Sequence, residues 1–230
     1  MLGTIARAAF VDDRFSPYAR HITATYAHPL TWLRIGAVWG AGSAIGWAAS
    51  LWTGTEDYDR LDREAAASPA ASTGLLFVPG GDPAEFPGCV AIPGGCLVGD
   101  VDGPPAVIAR AVLDGVAMAT AEQVWALEDG RGLVTTPLNV SGGGARSPAL
   151  RQALADCLGR DLRVTQSSAT EPLGAAMLAG VAAGMFPAIE AAVHSMASSA
   201  DSAAVVRAND ALRLRYAALR EWRSGLLNRA

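Results

Sequence analysis

Three short turns carry the residues best suited to chemistry: Gly3-Thr4, Gly40-Ala41-Gly42-Ser43 and Gly142-Gly143-Gly144-Ala145. A phosphate needs backbone N–H groups turned toward it and no Cβ in the way, which glycine supplies. A helix that starts at such a turn adds partial positive charge. Taken singly, each turn reads equally well as a plain connection between a strand and a helix. Neither a GxGxxG fingerprint nor a GxxxxGK[ST] loop is present, so the commoner nucleotide folds find no support.

Other groups that could react are scattered. The three cysteines, Cys89, Cys96 and Cys157, form no CxxC, and with His21, His28 and His194 far apart they make no zinc-ligand pattern. No resident metal is expected. Cys157 falls on an apolar stripe with Leu150, Leu154 and Leu158 and reads as core. Among the acids, Asp156 and Asp161 read as surface charge and Asp100 and Asp102 as a solvated turn. Asp114 has Arg110 at i, i+4. None of them is placed as a catalytic base.

The elements that must hold the turns follow from periodicity and punctuation. Residues 3–11 and 21–26 alternate as strands, with Asp12, Asp13, Ser16 and Pro17 between them as turn chemistry. A strand over Trp32–Trp39 runs into the second glycine turn and then a helix. An exposed helix spans 56–67, a buried strand Leu75–Val78, and the Gly- and Pro-rich stretch Pro79–Pro105 reads as mostly loop. Pro104-Pro105 opens a long helix to Glu128, whose apolar positions recur every three to four residues. Leu138–Val140 is a strand entering the third turn. Ser147 caps the next helix, Pro148 is its first residue and Gly159 ends it. A strand over Leu162–Thr165, a small-residue helix to Gly184 and a last helix from Ala203 to Leu227 complete the chain. On that last helix, Val205, Leu212, Leu219 and Leu226 suit docking onto the rest. Strands alternating with helices give an α/β class, and no repeat or linker divides the chain, so residues 1–230 are expected to be one domain.

Composition removes several classes. Of 230 residues 51% are hydrophobic and 17% charged, which excludes disorder. All 18 basic residues are Arg, they do not cluster, and the net charge is −4, so nucleic acid is not an expected partner. The uncharged run Ile35–Trp52 is long enough to span a membrane, but Gly36, Gly40, Gly42 and Gly46 fit a strand, a turn and a helix better. Leu173–Phe186, with Gly180 and Gly184 at GxxxG spacing, is too short to span. No membrane is expected, and a reducing cytoplasm suits the unpaired cysteines.

Order and context bring the three turns together. The run Val140 to Gln152, followed by Ala155-Asp156 and Gly159-Arg160, resembles the C-terminal domain of the FGGY carbohydrate kinases, xylulokinase-like members most of all. Glu171-Pro172-Leu173-Gly174-Ala175-Ala176 with Ala179-Gly180 is similar to that family's GAA helix. Ala109 to Ala117 is similar to its R-A-V-x-E-G-V-A helix, with Asp114 where Glu is usual. Gly40-Ala41-Gly42-Ser43 with Trp47 looks like its A-G…W segment. Leu2-Gly3-Thr4 looks like its LGTS turn, with Ile5 in place of Ser.

The resemblance implies an actin-like ATPase (ribonuclease H-like) fold, the second of the two domains of a sugar kinase. ATP would bind with Mg carried through its phosphates. Gly3 and Thr4 would face the β- and γ-phosphates, Gly40 and Gly42 would approach from the second turn, and Ile45 would border the nucleotide. Gly143, Gly144 and Ala145 would contact the ribose and α-phosphate, and Pro148 the adenine. The reaction implied is transfer of the γ-phosphate to a sugar or polyol hydroxyl, a ketopentose such as xylulose foremost. The family's sugar pocket and catalytic aspartate lie ahead of the LGT turn. The expected partners are therefore an N-terminal kinase half, with the sugar or polyol bound only in its company, or a second copy of the chain. The family's Gly-Glu-Arg-x-Pro stretch is replaced here by Val78-Pro79-Gly80-Gly81-Asp82-Pro83-Ala84-Glu85. That change, with Ile5, keeps open a second expectation: a non-catalytic, degenerate kinase module that binds nucleotide or a protein partner.

Overall fold

The computed structural model describes residues 1–227 apart from 16, 18–20, 73, 87, 129–136, 166–169 and 197–203. Ser16 and the expected start of the last helix at Ala203 lie outside the described residues.

The first sheet is antiparallel, in the order β1 (Ala6–Asp12), β3 (Trp32–Val38), β2 (Ile22–Thr25). Ala6 lies opposite Val38 and Asp12 opposite Trp32, a register that puts Ala6, Ala8 and Val38 on one buried face. From β3 the chain turns at Gly40 into α1 (Ala41–Ser50), and α2 (Tyr58–Ala67) follows. The uncharged run Ile35–Trp52 is thus a strand, a turn and a helix, as its glycines require. Among the described residues no helix is long and apolar enough to cross a membrane.

A second antiparallel sheet, in the order β4 (Leu75–Pro79), β6 (Gly95–Gly99), β5 (Val90–Ile92), replaces the loop expected over Pro79–Pro105. Its strands are too short to show alternation among so many Gly and Pro residues. The Pro93-Gly94 turn, with Gly94 at φ 86°, folds β6 back on β5, and β6 pairs along the whole of β4.

The long helix α3 (Pro105–Glu128) crosses both sheets and is buried from Ala109 to Ala121. It lies close on β4 because Gly115 has no side chain: a Cβ there would stand 2.2 Å from the Phe77 carbonyl oxygen. The third sheet joins β7 (Leu138–Val140) to β8 (Leu162–Val164) in parallel and β8 to β9 (Ala204–Val206) antiparallel. Between β7 and β8 run a short 3-10 turn (Gly143–Arg146) and α4 (Pro148–Leu158). The small-residue helix expected to Gly184 is α5 (Thr170–Ala182), and a further helix that the sequence did not announce, α6 (Ile189–Met196), packs against it.

The last helix, α7 (Asp210–Leu227), docks through Tyr216 and Leu219. Val205 is not on it. It belongs to β9 and is exposed, so the sevenfold spacing counted across a strand and a helix. A second correction concerns Asp156, which is 1% exposed and not surface charge. Its Oδ1 accepts from the Asn209 amide at 2.7 Å and from Gln152 Nε2 at 2.8 Å, tying α4 to the start of α7. Burial holds its carboxyl above the usual range in spite of those bonds. Cys157 is core as expected, its thiol beside Met118 Sδ and pushed up by burial.

Candidate functional site

Leu2, 3% exposed, is the pivot of the site. Its N–H donates to Ser141 O at 2.8 Å, and its carbonyl accepts from the Gly144 N–H at 2.8 Å. Two residues on, the Thr4 carbonyl accepts from the Gly42 N–H at 3.0 Å. The first turn is therefore held between the second and the third, and residues far apart in sequence share one corner of the fold.

The glycines of this corner divide into two kinds. Gly42, Gly142 and Gly144 serve close packing. A Cβ on Gly42 would stand 2.5 Å from Thr4 Cα, one on Gly142 2.6 Å from Leu2 O, and one on Gly144 2.9 Å from Leu2 Cβ. Gly40, at φ 76°, serves it too, with the Gly94 carbonyl 2.2 Å from where its Cβ would be. Gly143 has nothing within 4 Å and Gly3 only the Ile5 carbonyl at 3.8 Å, so both face open space. Thr4 and Ser43 are exposed beside them. This is a cradle whose inner wall is packed backbone and whose outer side is open at Gly3 and Gly143.

The remaining predicted residues fall around it. Ala145 is 4% exposed, with its methyl in the core and its carbonyl accepting from Arg151 Nη1 at 3.1 Å. Ile45 is half-buried on α1 and packs against the core. Pro148 is exposed at the first turn of α4. So Gly3, Thr4, Gly42, Gly143 and Gly144 come together, with Gly40 adjoining, Ala145 beneath, and Ile45 and Pro148 at the margins.

The two helix starts at this corner differ electrostatically. No side chain caps α1, whose N-cap is Gly40; the Gly42 N–H goes to the Thr4 carbonyl, and the positive end of the helix dipole stays available to an anion. The start of α4 is taken. Ser147 Oγ accepts from the Leu150 N–H at 3.0 Å and donates to Asp62 Oδ1 at 2.5 Å, and the same carboxylate accepts from the Ala149 N–H at 3.3 Å. Half-burial raises the Asp62 carboxyl above its usual range, against the pull of these bonds. Sequence reading missed Asp62 because 85 residues separate it from Ser147, and nothing local in α2 marks it. Among the described residues no group of His, Cys, Asp and Glu is placed to hold a metal ion.

Asp114 does pair with Arg110, and it does more than that. Its Oδ1 accepts from Arg110 Nη2 at 2.7 Å and from the Tyr216 hydroxyl at 2.8 Å, and its Oδ2 from the Ala71 N–H at 2.8 Å. Burial, and then the neighbouring carboxylate, hold the Tyr216 phenol above its ordinary value. This cluster is enclosed and joins α3 to α7.

Residues 13–183 match the profile described as "FGGY family of carbohydrate kinases, C-terminal domain". Among curated relatives, a glycerol kinase of Dechloromonas aromatica is 34% identical over 157 residues, covering 68% of this chain and 31% of its own length. A glycerol kinase of Bordetella parapertussis is 36% identical over 166 residues, covering 70% and 32%. The chain thus spans about a third of the curated relatives it matches. Of solved structures, a xylulose kinase from Rhodospirillum rubrum superposes with a TM-score of 0.76 at 20% identity, over 98% of this chain and 45% of that one. Plasmodium falciparum glycerol kinase with ADP gives 0.72 at 20%, over 99% and 46%. The likeness in structure shows the fold, an α/β domain of the actin-like ATPase type.

Proposed function

Because the chain belongs to the FGGY family of carbohydrate kinases, as its C-terminal domain, we propose that the cradle at Gly3 and Gly143 holds the phosphates and ribose of ATP. The observation that supports this reading is the convergence of three glycine turns on a surface left open at Gly3 and Gly143. Gly3 and Thr4 face the β- and γ-phosphates, and the start of α1, which no side chain caps, adds positive potential beside Gly40 and Gly42. Gly143 and Gly144 lie along the ribose and α-phosphate over Ala145. Ile45 and Pro148 flank the nucleotide, Pro148 on the adenine side. Magnesium travels with the phosphates, where it neutralises charge as the phosphoryl group moves.

In this reading the chain is the ATP-binding half of a cytoplasmic kinase that phosphorylates a sugar or polyol hydroxyl. Xylulose and glycerol both belong to the acceptor class. The acceptor and its base come from an N-terminal domain, since the solved kinases are more than twice the length matched here.

A coupled assay with ATP-Mg tests this on xylulose, ribulose, glycerol and erythritol. The chain alone should turn over none of them, and mixing with the N-terminal half of a related kinase should restore turnover. Robust turnover by the chain alone would sink the half-site reading, because all of the machinery would then lie within these residues.

A further inference from the structure

Two helices start at the cradle, and by charge α4 should be the stronger anion trap. Its first turn presents the Ala149 and Leu150 N–H groups, and Arg151 follows them. Arg151 Nη1 donates to the Ala145 carbonyl at 3.1 Å, while its Nε is buried with no partner among the described residues. The short turn over Gly143–Arg146 sets this start about 8 Å from Gly143, at roughly 2 Å per residue. In contrast, α1 (Ala41–Ser50) holds no charged residue. A triphosphate choosing by charge alone would turn to α4 and Arg151.

Asp62 reverses that choice. From α2 its Oδ1 accepts from the Ser147 hydroxyl and from the Ala149 N–H, while Ser147 Oγ takes the Leu150 N–H. The first-turn donors of α4 are thus spent on the protein's own side chains. Desolvation raises the Asp62 carboxyl, and the Ser147 and Ala149 bonds and then the Arg151 charge oppose the rise. Arg151 therefore has a counter-charge at the same helix start. The start of α1 has no such occupant, because no side chain caps it.

We propose that Asp62 is a positioning residue for the nucleotide: an internal anion that closes the α4 start to phosphate. The triphosphate is thereby left to Gly3 and the α1 start, and the uncharged adenosine end lies toward Pro148. This inference rests on the ATP reading of the cradle and adds to it what decides the direction of ATP. Asp62 acts through Ser147 and the α4 amides, not by touching the reacting atoms.

Titrations of ATP-Mg and of magnesium tripolyphosphate on the wild type and on Asp62→Asn test it. The substitution keeps an oxygen for the Ser147 hydroxyl and the Ala149 N–H and removes the charge. The wild type should bind ATP more tightly than tripolyphosphate. In Asp62→Asn tripolyphosphate should gain about two- to fivefold, the worth of a charge at a helix end, so the preference for ATP falls. Adding Ser147→Asp returns a carboxylate to the helix start and should restore the wild-type preference. A merely structural Asp62 would weaken both ligands in step and leave their ratio unchanged, which would overturn the proposal, as would no restoration by Ser147→Asp. The amide NMR signal of Ala149 should move with tripolyphosphate in Asp62→Asn and stay still in the wild type. Movement in the wild type would overturn the proposal whether or not Asp62→Asn folds. Equal wild-type affinity for ATP and tripolyphosphate would instead remove the adenosine side of the cradle reading, and the Ala149 signal would still decide the role of Asp62.

Discussion

At the α3–α7 joint the polar atoms are answered from within: Arg110, Asp114, Tyr216 and the Ala71 N–H close on one another out of reach of solvent. At the Leu2–Thr4 turn the backbone is answered on its inner side, and the outer side is open, with only the Ile5 carbonyl near Gly3 and nothing near Gly143. Both clusters gather residues distant in sequence. The first spends its polarity on the fold: it even holds Ala71 at φ 50°, a conformation that a non-glycine residue adopts at a cost of about 1–2 kcal/mol. The second leaves donors and space over, which is what a ligand requires. A polar cluster is a candidate site when it is incomplete on one side, and a structural joint when it is closed.

The largest effect should come from opening the closed cluster. Asp114→Ala leaves the Arg110 guanidinium buried without its carboxylate and the Ala71 N–H without an acceptor, at a cost of about 3–5 kcal/mol. Urea denaturation measures it, and a loss under about 1 kcal/mol would mean that the joint does not hold α7 as described. Next in size is Gly42→Ala. Its Cβ would meet Thr4 Cα at 2.5 Å, backbone against helix, so the first and second turns must separate. A stability loss of about 1–3 kcal/mol should accompany weaker ATP binding. Full ATP affinity in a destabilised Gly42→Ala protein would break the link between turn packing and the cradle.

A smaller effect depends on pH. Burial holds Asp156 above its ordinary 3.8, so the folded protein binds that proton more tightly than the unfolded chain does. Relative to Asp156→Asn, the wild type should gain stability as the pH falls through the raised folded value. The gain is complete below the unfolded value and disappears again as the pH rises. Parallel stability curves for the two proteins from neutral to acid pH would contradict it.

The turns, strands and helices around the cradle were legible because local signals mark them: glycine after a strand, Ser147-Pro148 before a helix, a 3.6-residue period in α3. So was the Arg110–Asp114 pair, four residues apart on one helix. The division of labour among the glycines was not legible. Gly42 and Gly143 look alike in sequence, and only the position of Leu2–Thr4 tells a packing glycine from an open one. Nor were Asp62 at the start of α4 or the burial of Asp156, since both depend on partners some fifty residues away or more. The β5–β6 hairpin was hidden because three- and five-residue strands among Gly and Pro carry too little alternation to read.

The smallest effect on the fold should come with the decisive effect on function. Gly143 is exposed, has no positive φ, and a side chain there meets nothing within 4 Å, so Gly143→Val should change stability by no more than about 0.5 kcal/mol. The same side chain would fill the open face of the cradle. Titration calorimetry with ATP-Mg on both proteins, at matched melting temperature, tests the account most directly. Weak but measurable binding by the wild type, and affinity at least about tenfold lower in Gly143→Val, is the predicted result. Equal binding by two equally stable proteins would contradict it and place the nucleotide elsewhere.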